Sequence, residues 1–212
     1  MKPSSIDFSL YLATDQRLLA GRDLCAVVEA AVAAGVTVVQ LREKEASAAE
    51  FFETGRRLLA LTRRLGVPLI INDRVDVMLA LDADGVHVGK QDLPLAAVRR
   101  LVGKGKLVGY SVTCLEDLEF AAANGADHVG IGPVFSTSTK LDASPPLGLD
   151  GFRRLAARAA IPCVAIGGIT AETCAPLMAA GAAGVCVISA ILGESDVAAA
   201  AQRFRQAVAA TR

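Results

Sequence analysis

A parallel α/β barrel of the (β/α)8, or TIM, type is the fold this sequence predicts, and three observations lead there. Its 212 residues are 53% hydrophobic but only 4% aromatic. The core is therefore built from Ala, Val, Leu and Ile, a palette that suits parallel strands covered by helices on their outer face. Strand-like runs alternate with helical ones roughly eight times, and about 200 residues is the lower size limit of such a barrel. Several helical segments also close on one local pattern: Ala-Ala-Gly-Val at 33–36, Asn-Gly-Ala-Asp at 124–127 and Ala-Gly-Ala-Ala-Gly-Val at 180–185. Each places a glycine at the turn into a buried strand. A doubly wound open sheet is the competing architecture, but no Gly-x-Gly-x-x-Gly turn follows the first strand. No linker or low-complexity stretch divides residues 1–212, which read as one catalytic domain.

In chain order, residues 8–13 alternate and are apolar enough for a first strand. Residues 24–34 have helical period and Gly35 ends them, as a glycine just past a helix does. The β-branched run 36–41 is a second strand. Ser47 caps the next helix, whose apolar stripe includes Phe51, Phe52, Leu58, Leu59 and Leu65, with Gly66 after it. Residues 68–71 form a third strand, 75–81 a short helix and 85–88 a fourth strand. Pro94 stands at a first helical position and opens a helix to residue 102. Strands at 107–110, 128–131, 163–166 and 185–188 follow, with helices at 115–123, 152–160, 172–180 and 197–209.

Charge and targeting signals narrow the function classes. Lys plus Arg and Asp plus Glu each number 22, so no overall field draws in nucleic acid or an anionic membrane. Residues 1–7 have no long apolar run of the kind a signal peptide carries. The most apolar segment, 24–41, carries Glu29 and is split by Gly35, which makes it a helix and a strand and not a membrane span. The 5 cysteines contain no C-x-x-C pair, and Cys163 and Cys186 fall inside apolar strand runs as small buried hydrophobes. A reducing, cytoplasmic setting is expected.

In a barrel of this kind the functional groups come from the C-terminal strand ends and the loops behind them. Behind the second strand, Gln40, Arg42 and Lys44 are spaced by two and share a face, while Leu41 points the other way. Two cations at a barrel mouth call for an anion, because an unpaired buried charge costs several kcal/mol; the alternative is a solvated strand end with Arg42 and Lys44 paired to Glu43 or Glu45. Behind the third and fourth strands stand Asn72-Asp73-Arg74 and Gly89-Lys90-Gln91-Asp92. Neighbouring strands lie about 4.8 Å apart, so Asp73 and Asp92 are placed either to share one hard cation such as Mg2+ or to cap the helices that follow them.

Behind the sixth strand, residues 130–140 break at Gly132-Pro133 and become a loop of hydroxyls ending in a cation. Thr137 and Thr139, two apart, with Lys140 beside them, suit a phosphate or diphosphate; a Ser/Thr-rich surface turn is the bland alternative. Ser111 is a hydroxyl behind the fifth strand. Gly167-Gly168 and Ile188-Ser189 lie behind the seventh and eighth, where barrels often bind phosphate through backbone N–H groups. His87 and His128 read as buried barrel histidines. Two phosphate-like sites and a carboxylate pair on one rim point to a diphosphate substrate with magnesium, a separate monophosphate substrate, and substitution at the carbon bearing diphosphate.

With those residues in view, the chain resembles the thiamine-phosphate synthase (thiamine-phosphate pyrophosphorylase) family nearly end to end. The likeness runs through Gln-x-Arg-x-Lys at 40–44, Asn-Asp-Arg at 72–74, and Gly-Val-His-Val-Gly at 85–89 followed by Asp92. It continues through Gly-Pro-Val-Phe-x-Thr-x-Thr-Lys at 132–140, Gly-Gly-Ile at 167–169 and Ile-Ser-Ala at 188–190. The resemblance implies joining of hydroxymethylpyrimidine diphosphate to hydroxyethylthiazole phosphate with release of pyrophosphate. It implies Asp73 and Asp92 as magnesium ligands, and Gln40, Arg42, Lys44, Asn72 and Lys140 around the diphosphate. Gln40 and Ser111 would border the pyrimidine, and Thr137, Thr139, Gly168, Ile188 and Ser189 the thiazole phosphate. Arg42, Lys44, Ser111 and Lys140 would carry catalysis, by a dissociative route that needs no enzyme nucleophile. The pattern departs at Lys90, where the family more often has Gln, and at Thr113, often His or Asn. Lys90 would either add to diphosphate binding or tie up Asp92. Two competing readings share the scaffold. A thiazole tautomerase-like isomerase would lack the intact Asn-Asp and Thr-x-Thr-Lys elements, and a non-catalytic phosphate-binding barrel would need no metal pair.

Overall fold

A computed structural model of the chain describes residues 6–137, 139 and 145–210. Its strands are β1 (Leu10–Ala13), β2 (Val38–Leu41), β3 (Leu69–Asn72), β4 (Gly85–Val88), β5 (Leu107–Val112), β6 (His128–Ile131), β7 (Cys163–Ile166) and β8 (Gly184–Val187). Between and after them run α1 (Leu24–Ala33), α2 (Ala48–Leu65), α3 (Val75–Leu81), α4 (Leu95–Val102), α5 (Leu115–Ala123), α6 (Gly148–Ala156), α7 (Ala171–Ala179), α8 (Ser189–Leu192) and α9 (Val197–Ala209). The strands close into one barrel in sequence order, β1 to β8, with every pairing parallel. This is the (β/α)8 fold.

Closure follows from the two faces of each strand. Residues such as Leu12, Val39, Leu41 and Ile71 point outward and pack with the helices in one apolar layer. Tyr11, Val38, Ile70, Leu107, Val164 and Cys186 point inward and fill the barrel. The interior alternates large with small: Gly109 lies opposite both His87 and His128 in register. A Cβ there would come within 2.6 Å of the His128 ring, so the glycine makes room for two imidazoles.

Several local predictions are met by the chemistry expected of them. Ser47 and Glu50 form a reciprocal capping box on α2, an arrangement in which the cap contributes about 1 kcal/mol. Gly66 ends α2 in the left-handed region at φ 72°. Other boundaries differ. The helix expected at 152–160 is α6, starting at Gly148 and ending at Ala156. Its buried stripe is Gly151, Phe152 and Leu155, and the chain must leave helical geometry before Pro162 leads it into β7. Pro94 is the residue before α4, with ψ 131°, not its first helical residue. β5 runs two residues past the expected 110, so Ser111 sits on the strand itself. Ile188 leaves β8 and opens the four-residue α8, which was not expected. Among the described residues no helix is long and apolar enough to cross a membrane.

Candidate active site

The C-terminal strand ends surround a cavity of about 380 Å³. Gln40, Arg42, Lys44, Asn72, Asp73, Asp92 and Ser111 line one side and the floor, and Thr137, Thr139, Gly168, Ile188 and Ser189 line the rest. Residues drawn from seven of the strand ends thus meet in one space. Lys140 lies outside the described residues.

On the cationic side, the period of β2 turns Gln40 and Arg42 inward while Leu41 joins the outer core. The partners of the cations are not Glu43 or Glu45. Arg42 Nη1 lies 3.2 Å from Asp15 Oδ2, and Lys44 Nζ donates to Asp73 Oδ2 at 2.6 Å. Asp15 is 3% exposed and also accepts from Arg17 Nε at 2.9 Å and Arg17 Nη2 at 2.6 Å. The Arg17 hydrogen bonds hold its carboxyl below the usual range, so it is an anion at neutral pH.

Neither Asp73 nor Asp92 is a helix cap, which removes the competing account of them. The residues that precede α3 and α4 are Arg74 and Pro94, and neither helix start receives a side-chain cap bond. Asp73 has a left-handed backbone at φ 61°, a conformation rare outside glycine and tolerated best by Asp and Asn. Its N–H donates to His87 O at 2.8 Å, which fixes it to β4. Asp92 Oδ2 accepts from Gly89 N at 2.7 Å, folding the β4 loop back over the strand end. Burial pushes the Asp92 carboxyl up and the neighbouring Asp73 carboxylate pushes the same way. A carboxylate pair at one rim is a donor set that could hold a hard cation. Arg74 turns away, with both ends of its fork on Asp76.

The floor is polar but pre-satisfied in part. Gln40 Nε2 donates to the Tyr11 hydroxyl at 2.9 Å, which orients the amide. His87 Nε2 and Ser111 Oγ are 3.0 Å apart. His128 is fully buried against Phe8 at a ring separation of 4.6 Å, and neither of its ring nitrogens has a hydrogen-bond partner among the described residues. Burial lowers its pKa to about 3, so the ring is neutral. Cys186 also lines the cavity, with its thiol pushed up to about 12 by burial.

Opposite the cations, Thr139 N donates to Thr137 Oγ1 at 3.2 Å, and the Thr139 and Ser189 hydroxyls are 3.5 Å apart. Both threonines face the cavity. Gly168 has φ 63°, and a Cβ on it would run into the Ser136 carbonyl and Phe135. Only glycine lets the β6 and β7 loops approach this closely.

Asp15, Arg17 and Tyr11 were not singled out in the sequence, and Lys90, which lines the cavity, does not tie up Asp92. Lys90 Nζ is 2.7 Å from Asp117 Oδ1, whose other oxygen accepts from Thr113 N at 2.9 Å and Thr113 Oγ1 at 2.8 Å. Both departures from the family pattern thus bind one carboxylate. Lys90 is paired with Asp117 and not with Asp92, and its side chain is 55% exposed.

Fold and rim define the class: a (β/α)8 barrel enzyme with cations, a carboxylate pair and hydroxyls gathered at the C-terminal mouth. Comparison with known proteins makes this specific. The family model described as thiamine monophosphate synthase matches residues 10–191. A thiamine-phosphate synthase of Chloroflexus aurantiacus is 51% identical over 207 residues, covering 98% of this chain and 95% of that one. One of Azorhizobium caulinodans is 46% identical over 210 residues and covers 99% of each. Among solved structures, a thiamine phosphate pyrophosphorylase from Pyrococcus furiosus superposes with a TM-score of 0.88 at 36% identity, over 97% of both chains. A 3-hexulose-6-phosphate synthase, at TM-score 0.69 and 20% identity, shares the fold alone. The chain belongs to the thiamine-phosphate synthase family, a family of transferases in thiamine biosynthesis.

Proposed function

We propose that this chain joins hydroxymethylpyrimidine diphosphate to hydroxyethylthiazole phosphate, releasing pyrophosphate and forming thiamine phosphate. The observation that carries the reading is one cavity with two unlike anion-handling sides. Arg42, Lys44, Asp73 and Asp92 follow β2 to β4, and Thr137, Thr139, Gly168 and Ser189 follow β6 to β8, across the closed barrel from them. A diphosphate suits the first side and a single phosphate ester the second. In this reading Lys140 joins Arg42, Lys44 and Asn72 around the diphosphate.

The donor set fits magnesium. Among the described residues no group of three or more His, Cys, Asp or Glu could hold a metal ion, so the protein offers the carboxylates of Asp73 and Asp92. Magnesium takes one or two carboxylates and completes its shell with water and substrate phosphate. Bound there, it supplies charge neutralisation to a departing diphosphate. Lys44 Nζ lies 2.6 Å from Asp73 Oδ2 and would bring its charge to the same anion.

The chain's own residues then perform three tasks. Arg42 and Lys44 stabilise negative charge as the carbon–oxygen bond breaks. Gln40, set by Tyr11, and Ser111, set by His87, hold the aminopyrimidine ring so that its nitrogens share the positive charge left behind. Thr137, Thr139, Gly168, Ile188 and Ser189 anchor the thiazole phosphate and aim the ring nitrogen at that carbon, which is catalysis by positioning. No enzyme nucleophile enters: the one thiol in the cavity, Cys186, is held protonated at neutral pH. Free thiols, buried at Cys163, Cys174 and Cys186 and half-buried at Cys25 and Cys114, accord with a reducing cytoplasm.

The test is incubation with both substrates and magnesium. Thiamine phosphate and pyrophosphate should appear in equal amounts, and omission of either substrate or of the metal should stop both. Isomerised thiazole phosphate as the sole product would replace this reading with the tautomerase one.

A further inference from the structure

We propose that Asp15 is a positioning residue for this reaction: its buried carboxylate fixes the Arg42 guanidinium at the mouth, and Arg17 ties that carboxylate to the loop carrying Thr139. The inference rests on the diphosphate reading of the Arg42 side of the cavity.

Two contacts converge on Arg42 from the residues that follow β1, and a third holds its neighbour Gln40. Its backbone N–H donates to Thr14 Oγ1 at 3.0 Å, and its Nη1 to Asp15 Oδ2 at 3.2 Å. Thr14 N in turn donates to Gln40 O at 2.9 Å, continuing the ladder between β1 and β2 up to the rim. Main chain and side chain of Arg42 are therefore held by one neighbouring segment. Asp15 engages one corner of a guanidinium that carries five N–H donors, so the fork retains donors for an anion.

Charge explains why Arg17 is needed. Asp15 bound to Arg42 alone would make a neutral pair, a poor attractor of diphosphate. Arg17 takes the same carboxylate with two parallel hydrogen bonds at 2.9 and 2.6 Å, and its own N–H adds a third at 3.1 Å. One anion then serves two cations, so Arg17, Asp15 and Arg42 together keep one positive charge, with the Glu43 carboxyl, pushed up by burial, as the next acidic group beside Asp15 and Arg42. The Asp15 side chain is 4% exposed and that of Arg42 14%, while that of Arg17 is 52% exposed. The buried members are fixed and the outer one reaches across the mouth, where Arg17 Nη2 donates to Thr139 O at 3.3 Å. The diphosphate side and the monophosphate side are thus linked through a residue pair that touches neither ligand.

The experiment uses Asp15→Asn, which keeps the shape but cannot accept from two guanidinium groups in the same way. Turnover should fall about 100-fold, the loss expected when a catalytic group is misplaced by about an ångström. Affinity for inorganic pyrophosphate with magnesium should hold or tighten, because a negative charge has left the site. The Asp15→Asn, Arg42→Lys double variant should lose little beyond Arg42→Lys alone, since both changes disable one unit. Parallel loss of turnover and pyrophosphate affinity, or losses that multiply in the double variant, would overturn the role. Should Asp15→Asn not fold, Arg17→Met serves instead, on an exposed side chain, with a loss of about tenfold in turnover expected and again non-additive with Arg42→Lys; full activity overturns the proposal. Wild-type protein that neither binds pyrophosphate nor forms product sinks the synthase reading itself. An active wild type with an unaffected Asp15→Asn sinks only the positioning role.

Discussion

Replacing His128 by leucine should flatten the acid side of the stability curve. In the folded chain its ring packs on Phe8, with Tyr11 at 6.1 Å and His87 at 5.7 Å, and its pKa falls from 6.5 to about 3. In the unfolded chain the same ring charges as the pH drops through 6.5. Between these values the unfolded state holds one more proton, so stability is complete above about pH 6.5 and declines by about 1.4 kcal/mol per pH unit as acid is added. From pH 6.5 to 5.0 the loss is about 2 kcal/mol, a large part of a typical net stability of 5–15 kcal/mol. For a chain of this size it corresponds to roughly 4–8 °C in melting temperature. Asp92 and Glu43, both pushed up by burial, titrate alike in the two proteins and drop out of the comparison. Urea unfolding of wild type and His128→Leu at pH 7.5, 6.5 and 5.0 is the assay. The variant should match the wild type within about 1.5 kcal/mol at pH 7.5, because leucine fills similar volume and carries no unpartnered nitrogen. It should then lose about 2 kcal/mol less on going to pH 5.0. Parallel pH curves would show that His128 is protonated, or solvated, in the folded barrel and would refute the reasoning.

Three other substitutions separate roles that share a neighbourhood. Asp73→Asn and Asp92→Asn should each abolish synthesis while melting within about 1 kcal/mol of wild type, since neither residue caps a helix; circular dichroism melts and turnover on the same samples check this, and near-normal turnover would remove the carboxylates from the chemistry. Lys90→Gln should leave the Michaelis constants for both substrates within about twofold and instead cost about 1 kcal/mol of stability, because the Lys90 ammonium is committed to the largely buried Asp117. A raised constant for the diphosphate substrate alone would mean that Lys90 swings from Asp117 onto the ligand.

How much was readable from the sequence depends on the range of each interaction. Gln40, Arg42 and Lys44 were legible because strand geometry repeats every two residues and a cation facing a barrel mouth needs a reason. Asp73 and Asp92 were legible as a pair only through the barrel hypothesis, which makes consecutive strands neighbours. Their backbone told more: the left-handed φ of Asp73 and the Gly89 bond to Asp92 exclude the capping role that sequence left open. Asp15 was silent because its partner Arg42 is 27 residues away, and Arg17 because Thr139 is 122 residues away. No local spacing encodes either contact. The same holds for Lys90, whose salt bridge to Asp117 joins the loop after β4 to the first turn of α5. α6 was placed too late because its first turn is glycine-rich and reads as loop, and α8 was missed because four residues carry no period.

The account turns on the leaving group departing before the thiazole nitrogen attacks, with the protein supplying charge neutralisation and position and no bond of its own. Single-turnover rates at saturating thiazole phosphate, for the natural pyrimidine diphosphate and for one with trifluoromethyl in place of its methyl group, test this most directly. The substituent destabilises the pyrimidine cation but leaves the diphosphate contacts of Arg42 and Lys44 as they are. The account predicts a chemical step slower by orders of magnitude, each ~1.4 kcal/mol on the barrier being tenfold in rate, with binding little changed. Equal rates for a step shown to be chemical would contradict it.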